Sequence, residues 1–117
     1  MKMKDIEIYS YDGVGYHSAM HYGAWRVAIA NYGAGFDRDQ FRYLERHLKT
    51  DEAFVLLAGN AMLVTGMERS ETPLAEGRIY NVRCGAWHAL LLEPESKVLI
   101  VENHDTAREN SEYFYFR

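Results

Sequence analysis

Cysteine is almost missing from the 117-residue chain: there is one, Cys84, and a single thiol excludes an internal disulfide framework. Long apolar runs are missing too. The longest, residues 53–58 and 86–92, fall far short of the roughly 20 residues that span a bilayer, which argues against a membrane protein. The opening Met-Lys-Met-Lys-Asp is not followed by the apolar segment of a signal peptide; with the lone cysteine, this sets the expectation of a cytoplasmic protein. Basic charge is also in short supply. Against 13 lysines and arginines stand 17 aspartates and glutamates, a net charge of -4, so the positive field that phosphate backbones require is lacking and nucleic acid is not an expected partner. No repeat with a period of 20 to 50 residues and no low-complexity tract is present. One domain, residues 1–117, is expected, burying roughly two thirds of the surface its unfolded form would expose.

What the chain does have is a succession of short segments with strand character. Residues 25–32 alternate, with Trp25, Val27 and Ile29 on one face and Arg26, Ala28, Ala30 and Tyr32 on the other. Residues 54–58 form an apolar run closed by Gly59-Asn60, which reads as a two-residue hairpin, and residues 61–65 would return from it. Residues 66–76 contain Pro73 and read as a loop. Further strands are expected at 78–82, 86–92 and 97–102, and an aromatic run at 113–116. Residues 1–24 give only a hint of a strand around Ile6 and Ile8 and a turn at Asp12-Gly13. Residues 37–48 support two readings. Asp37 with Gln40 resembles a capping box, and Phe41, Leu44 and Leu48 recur at helical spacing. The alternative is a turn at 37–40 and a strand at 41–47 that aims Tyr43, Glu45 and His47 to one side. So many short strands argue for an antiparallel sandwich or barrel.

Chemistry concentrates between Glu45 and Gly59, where two carboxylates and an imidazole precede the apolar run. The order Glu45, His47, Glu52, Gly59, followed by Gly77, Gly85 and His88, resembles the paired motifs of the cupin family. There the first motif has two histidines, a glutamate and a glycine, and the second a glycine, a proline, a second glycine and a histidine. The spacing from His47 to Gly59 and from Gly77 to His88 matches. Two positions depart: Glu45 stands where the family has its leading histidine, and Arg83 where it has proline. Thr50-Asp51-Glu52 before a Phe-Val-Leu-Leu strand, and Trp87-His88, are similar to features of small single-domain cupins of unassigned activity. The resemblance covers about residues 25–105. It implies an all-β double-stranded β-helix, or jelly-roll barrel, with little helix and with Tyr43, Glu45, His47, Glu52 and His88 facing the inside of one end.

A divalent first-row metal accepts imidazole nitrogen and carboxylate oxygen, and two histidines with one carboxylate leave positions open for water or substrate. His47, Glu52 and His88 supply that set, with Glu45 as a fourth ligand or a general base. Oxygen-rich ligation shifts preference toward manganese or iron(II) over copper; zinc and nickel also remain candidates. Such a site suits an isomerase or lyase acting on a sugar or other polar oxygenated compound. A second reading is a binding or sensing module that holds a small ligand without metal. A third makes the polar cluster an internal network with no pocket open to solvent.

Plainer readings stand beside each residue. His88 can be a core histidine satisfied by backbone, Glu52 an exposed strand-edge charge, and Glu45 and His47 solvated helix residues. Asp51 reads as a turn residue bonded to its own backbone. Arg26 shares a face with small Ala28 and Ala30, which would leave room for a carboxylate or phosphate on its guanidinium, or it is a surface charge. Tyr43, Tyr80 and Trp87 are candidate pocket walls, Tyr43 and Tyr80 as substrate contacts. Cys84 sits in a turn without a general base, and His17, His21 and His104 have no ligand spacing. The aromatics at 113–116 fall on both strand faces, which sets the expectation of a homodimer.

Overall fold

Alternating apolar residues build two five-stranded sheets, antiparallel at every strand pair, in a computed structural model that describes residues 5–117. The first four residues, part of the stretch read as lacking a signal segment, lie outside it. One sheet runs in the order β1 (Tyr16–Tyr22), β2 (Trp25–Asn31), β9 (Lys97–Asn103), β4 (Glu52–Ala58), β7 (Tyr80–Val82). The other runs β10 (Ser111–Tyr115), β3 (Tyr43–His47), β8 (His88–Leu92), β5 (Ala61–Thr65), β6 (Ser70–Pro73). The inward faces stack Ala28, Ala30, Phe54, Leu56, Leu63, Leu90, Leu92, Val98 and Ile100 into the main core. A second, smaller cluster of Leu44, Val64 and Leu91, backed by Met62, Trp87 and Phe116, covers the outer face of the second sheet. This is the all-β jelly roll with little helix. No helix among the described residues is long and apolar enough to cross a membrane.

The chain changes sheet at every connection except β1 to β2 and β5 to β6. Gly59-Asn60 is therefore a corner between sheets and not the expected hairpin. Gly59 has φ of +79°, and a Cβ there would lie 2.7 Å from the Ser96 Cα; the Asn60 N–H donates to the Ser96 hydroxyl at 2.8 Å. Positive φ serves a corner as well as a hairpin, so the dipeptide cannot separate the two. Of the two readings of 37–48, the strand prevails. Asp37 does cap, accepting from the Asp39 N–H at 2.8 Å, but only for the single 3-10 turn Arg38–Gln40. Beyond it the backbone pairs with β10 along all five residues of β3. Leu44, which fits a helical period, instead turns outward to the second cluster.

Two strands were not expected. β1 lies in the region of mixed Tyr, Gly and polar residues, whereas Ile6 and Ile8 belong to no strand. β6 falls inside the expected loop and includes Pro73, which an edge strand tolerates because one backbone N–H there needs no partner.

Candidate functional site

The site is built from both sheets facing one another at one end of the barrel. On β3 alternation turns Tyr43, Glu45 and His47 inward, and the β3–β8 register sets Glu45 directly opposite His88. From the other sheet come Glu52 at the start of β4, and Arg26 and Glu102, paired across β2 and β9. All seven line one cavity of about 580 Å³. Glu52 is held in place by its neighbours: the Asp51 carboxylate accepts from the Cys84 N–H at 2.7 Å and from Asn81 Nδ2 at 3.0 Å, and the Thr50 hydroxyl accepts from the Asn103 N–H at 3.0 Å. Asp51 thus ties two loops together, contrary to the expectation that it bonds its own backbone. Glu52 is an interior strand residue, 6% exposed, and not a charged strand edge.

One oxygen organises the cluster. Glu52 Oε1 lies 3.0 Å from His47 Nε2 and 2.9 Å from His88 Nε2. On the far side of each ring Nδ1 is engaged: that of His88 donates to the Ala86 carbonyl at 3.0 Å, and that of His47 meets the Ser111 hydroxyl at 2.9 Å. A neutral His88 whose Nδ1 carries the proton has a bare Nε2, and a bare nitrogen cannot sit 2.9 Å from a carboxylate without a positive centre, a proton or a metal ion, to share. Ligand atoms about 2.1 Å from one metal ion and at right angles to each other lie about 3 Å apart, so these separations fit a metal. Donor atoms of Glu45, His47 and His88 lie within 4.8 Å of one another, as do those of His47, Glu52 and Glu102. Rings fixed through Nδ1 with Nε2 turned inward are the usual arrangement of metal-bound histidines.

The electrostatics follow from burial and pairing. Burial works to raise the Glu52 carboxyl, but hydrogen bonds from His47 and His88 and their positive charge hold it well below the carboxylate range. For both histidines burial works downward, and the bond and charge of Glu52 outweigh it, so each is raised. Glu45 lacks such a partner. Burial pushes its carboxyl up, only partly offset by the two imidazoles.

Glu102 is the site residue the sequence did not single out. Its Oε2 accepts from Arg26 Nη2 at 3.0 Å and from the Tyr16 hydroxyl at 2.8 Å, while Oε1 faces His47 Nε2 at 3.9 Å. The signal was available: Val98, Ile100 and Glu102 occupy one face of β9, so a carboxylate continues an inward apolar row. Arg26 borders the cavity, but its guanidinium is engaged by Glu102. Tyr80 stands apart from the cavity. It packs against the main core, accepts the Ala75 N–H on its hydroxyl at 2.9 Å, and lines a separate cavity of about 270 Å³. Trp87 lies on the outer face, under the Arg46 guanidinium at 4.5 Å. His21 and His104 stack on each other at 3.7 Å, and neither borders the main cavity.

No family model and no curated protein matches the chain; its likeness is to solved structures. A cupin-2 domain protein from Shewanella frigidimarina superposes with a TM-score of 0.63 at 17% identity, over 80% of this chain and 85% of that one. The chain has the cupin fold. Pac13 of Streptomyces, described as a nucleoside dehydratase, aligns with a TM-score of 0.67 at 8% identity, covering 95% and 92% of the two chains. The iron(II) form of HppE aligns at 0.60 and 18% identity, over 88% of this chain and 59% of that one. In this barrel the position of the leading histidine is filled by Glu45, and a third carboxylate, Glu102, completes an oxygen-rich set around two imidazoles.

Proposed function

We propose that the chain is a divalent-metal-dependent isomerase or lyase acting on a sugar or similar polar oxygenated compound. One observation carries this reading: two inward Nε2 atoms and three carboxylates converge deep in a cavity that also borders exposed residues such as Tyr43. His47, His88 and Glu52 would hold the metal, with Glu45 or Glu102 beside them. A bound metal would polarise a carbonyl or acidify a bound water. Glu45, with its raised carboxyl, is suited to move a proton on and off the substrate, and Arg26 holds Glu102 in position. Solved structures of this fold support the class, since one is described as a nucleoside dehydratase and one contains iron(II).

The test is elemental analysis of protein purified without chelator, with Glu45→His in parallel. Near-stoichiometric manganese, iron, zinc or nickel in the unmodified protein is expected. Metal found only in the Glu45→His variant would overturn the enzyme reading in favour of a metal-free binding cupin, a reading supported by the ability of protons alone to satisfy the contacts of Glu52.

We further propose a homodimer in which a second copy covers the outer face of the second sheet. Phe114 is 43% exposed on the edge strand β10, next to the Trp87 cluster, and exposed apolar area of this kind is commonly covered by a partner. A dimer mass at micromolar concentration is expected, and a monomer mass would remove the idea. We also propose a cytoplasmic location, where the exposed Cys84 thiol would stay reduced.

A further inference from the structure

We propose that the compound bound in the cavity carries an oxyanion, a phosphate or a carboxylate, that Arg42 and Arg108 hold at the mouth while its oxygenated carbons reach the imidazoles. This rests on the enzyme reading above for the chemistry and adds the substrate class. The charged groups lining the cavity divide by depth. Glu45, Glu52, Glu102, His47, His88 and Arg26 lie on the inward faces of strands, and the cation among them, Arg26, is engaged by Glu102 at 3.0 Å. Arg42 and Arg108 border the same cavity but are exposed. Neither forms an ion pair among the described residues, whereas Arg38 pairs with Glu71 and Arg46 with Glu112.

Arg108 is also not loose in solvent. Arg108 lies over the Tyr113 ring at 4.9 Å, and Tyr113 meets Tyr43 edge to face at 5.7 Å, so the guanidinium is placed against an aromatic wall of the cavity. Arg42 directly precedes Tyr43 in the chain and borders the same cavity. Guanidinium forks match phosphate and carboxylate oxygens. A neutral sugar would leave both unpaired, and three carboxylates disfavour a further anionic group deep in the cavity. The arrangement therefore orients a ligand with its charge outward and its hydroxyl or carbonyl groups inward, in a volume suited to a small molecule.

Calorimetric binding of ribose 5-phosphate, ribonate and ribose to the full chain tests this, with an Arg42→Ala, Arg108→Ala double variant alongside. The phosphate or the carboxylate probe is expected to bind at least about tenfold tighter than ribose, the loss expected for one charge-assisted contact. The two anionic arms distinguish which oxyanion is preferred. In the double variant the preference should vanish while metal content and thermal midpoint stay unchanged, and in the unmodified protein it should weaken as salt rises. Equal affinity for all three probes, binding of none, or a preference that survives in the double variant would overturn the proposal. An anion preference in protein that never holds metal would overturn the enzyme reading and leave this one standing.

Discussion

Protein carrying His88→Ala is expected to lose nearly all of its metal and at least about 3 kcal/mol of stability together. His88 is 2% exposed and Glu52 is 6% exposed, and their contact at 2.9 Å is one of the two that neutralise that carboxylate. Truncating the imidazole leaves a buried charge with half of its partners, which costs far more than the net worth of the pair, because the desolvation of Glu52 is no longer offset. It also removes a nitrogen donor that no nearby side chain can replace. Ser111→Ala separates the two effects. It deletes only the group that orients His47 through Nδ1, so metal affinity should fall about 10-fold to 100-fold with little loss of stability. Metal analysis and urea denaturation of both variants check this, and full metal retention in His88→Ala would exclude His88 as a ligand.

Metal-free protein is expected to be most stable between about pH 4.5 and 6.5, the ordinary values of glutamate and histidine, and to weaken on both sides. The folded values of His47 and His88 are raised, so their contribution is complete below pH 6.5 and is lost as pH rises through the folded values. The folded value of Glu52 is lowered, so its contribution is complete above pH 4.5 and is lost as pH falls through the folded value. Glu45, raised by burial, instead costs stability as pH climbs from about 4.5 through its folded value, which tilts this plateau toward its acid end. The alkaline decline is expected to be on the order of 2 kcal/mol. Urea midpoints across pH in the presence of chelator measure it. Glu52→Gln should flatten the alkaline side, since the carboxylate that raises both imidazoles is gone, whereas a metal ion should reverse it, since ligands must lose their protons to bind.

Much of the architecture was legible because its cause is local. Alternation along residues 25–32 and the β-branched apolar content of 97–102 mark strands, and the spacing of His47, Glu52 and His88 carries the resemblance to cupins. Other features depend on what lies across the barrel. Gly59-Asn60 permits a hairpin or a corner, and the choice is made by Ser96, far along the chain. Phe41, Leu44 and Leu48 fit a helical period, yet backbone pairing with β10, more than sixty residues away, draws the segment into a strand. Glu102 closes an apolar strand, and only the register with Arg26 shows why a carboxylate can be buried there. Tyr80 is an aromatic on a barrel strand like Tyr43, and nothing in its neighbours says which end of the barrel it occupies.

The donor groups are divided between the two sheets: Glu45, His47 and His88 come from one, Glu52 and Glu102 from the other. Neither sheet alone presents the full set, and the Arg26–Glu102 pair spans 76 positions of sequence. A half-folded chain with one sheet formed would therefore hold a metal ion poorly, and metal entering the finished site would act as a rivet between layers, adding to the energy of the native state and little to that of earlier states. Such a rivet should show itself mainly as slower unfolding, with the refolding rate nearly unchanged.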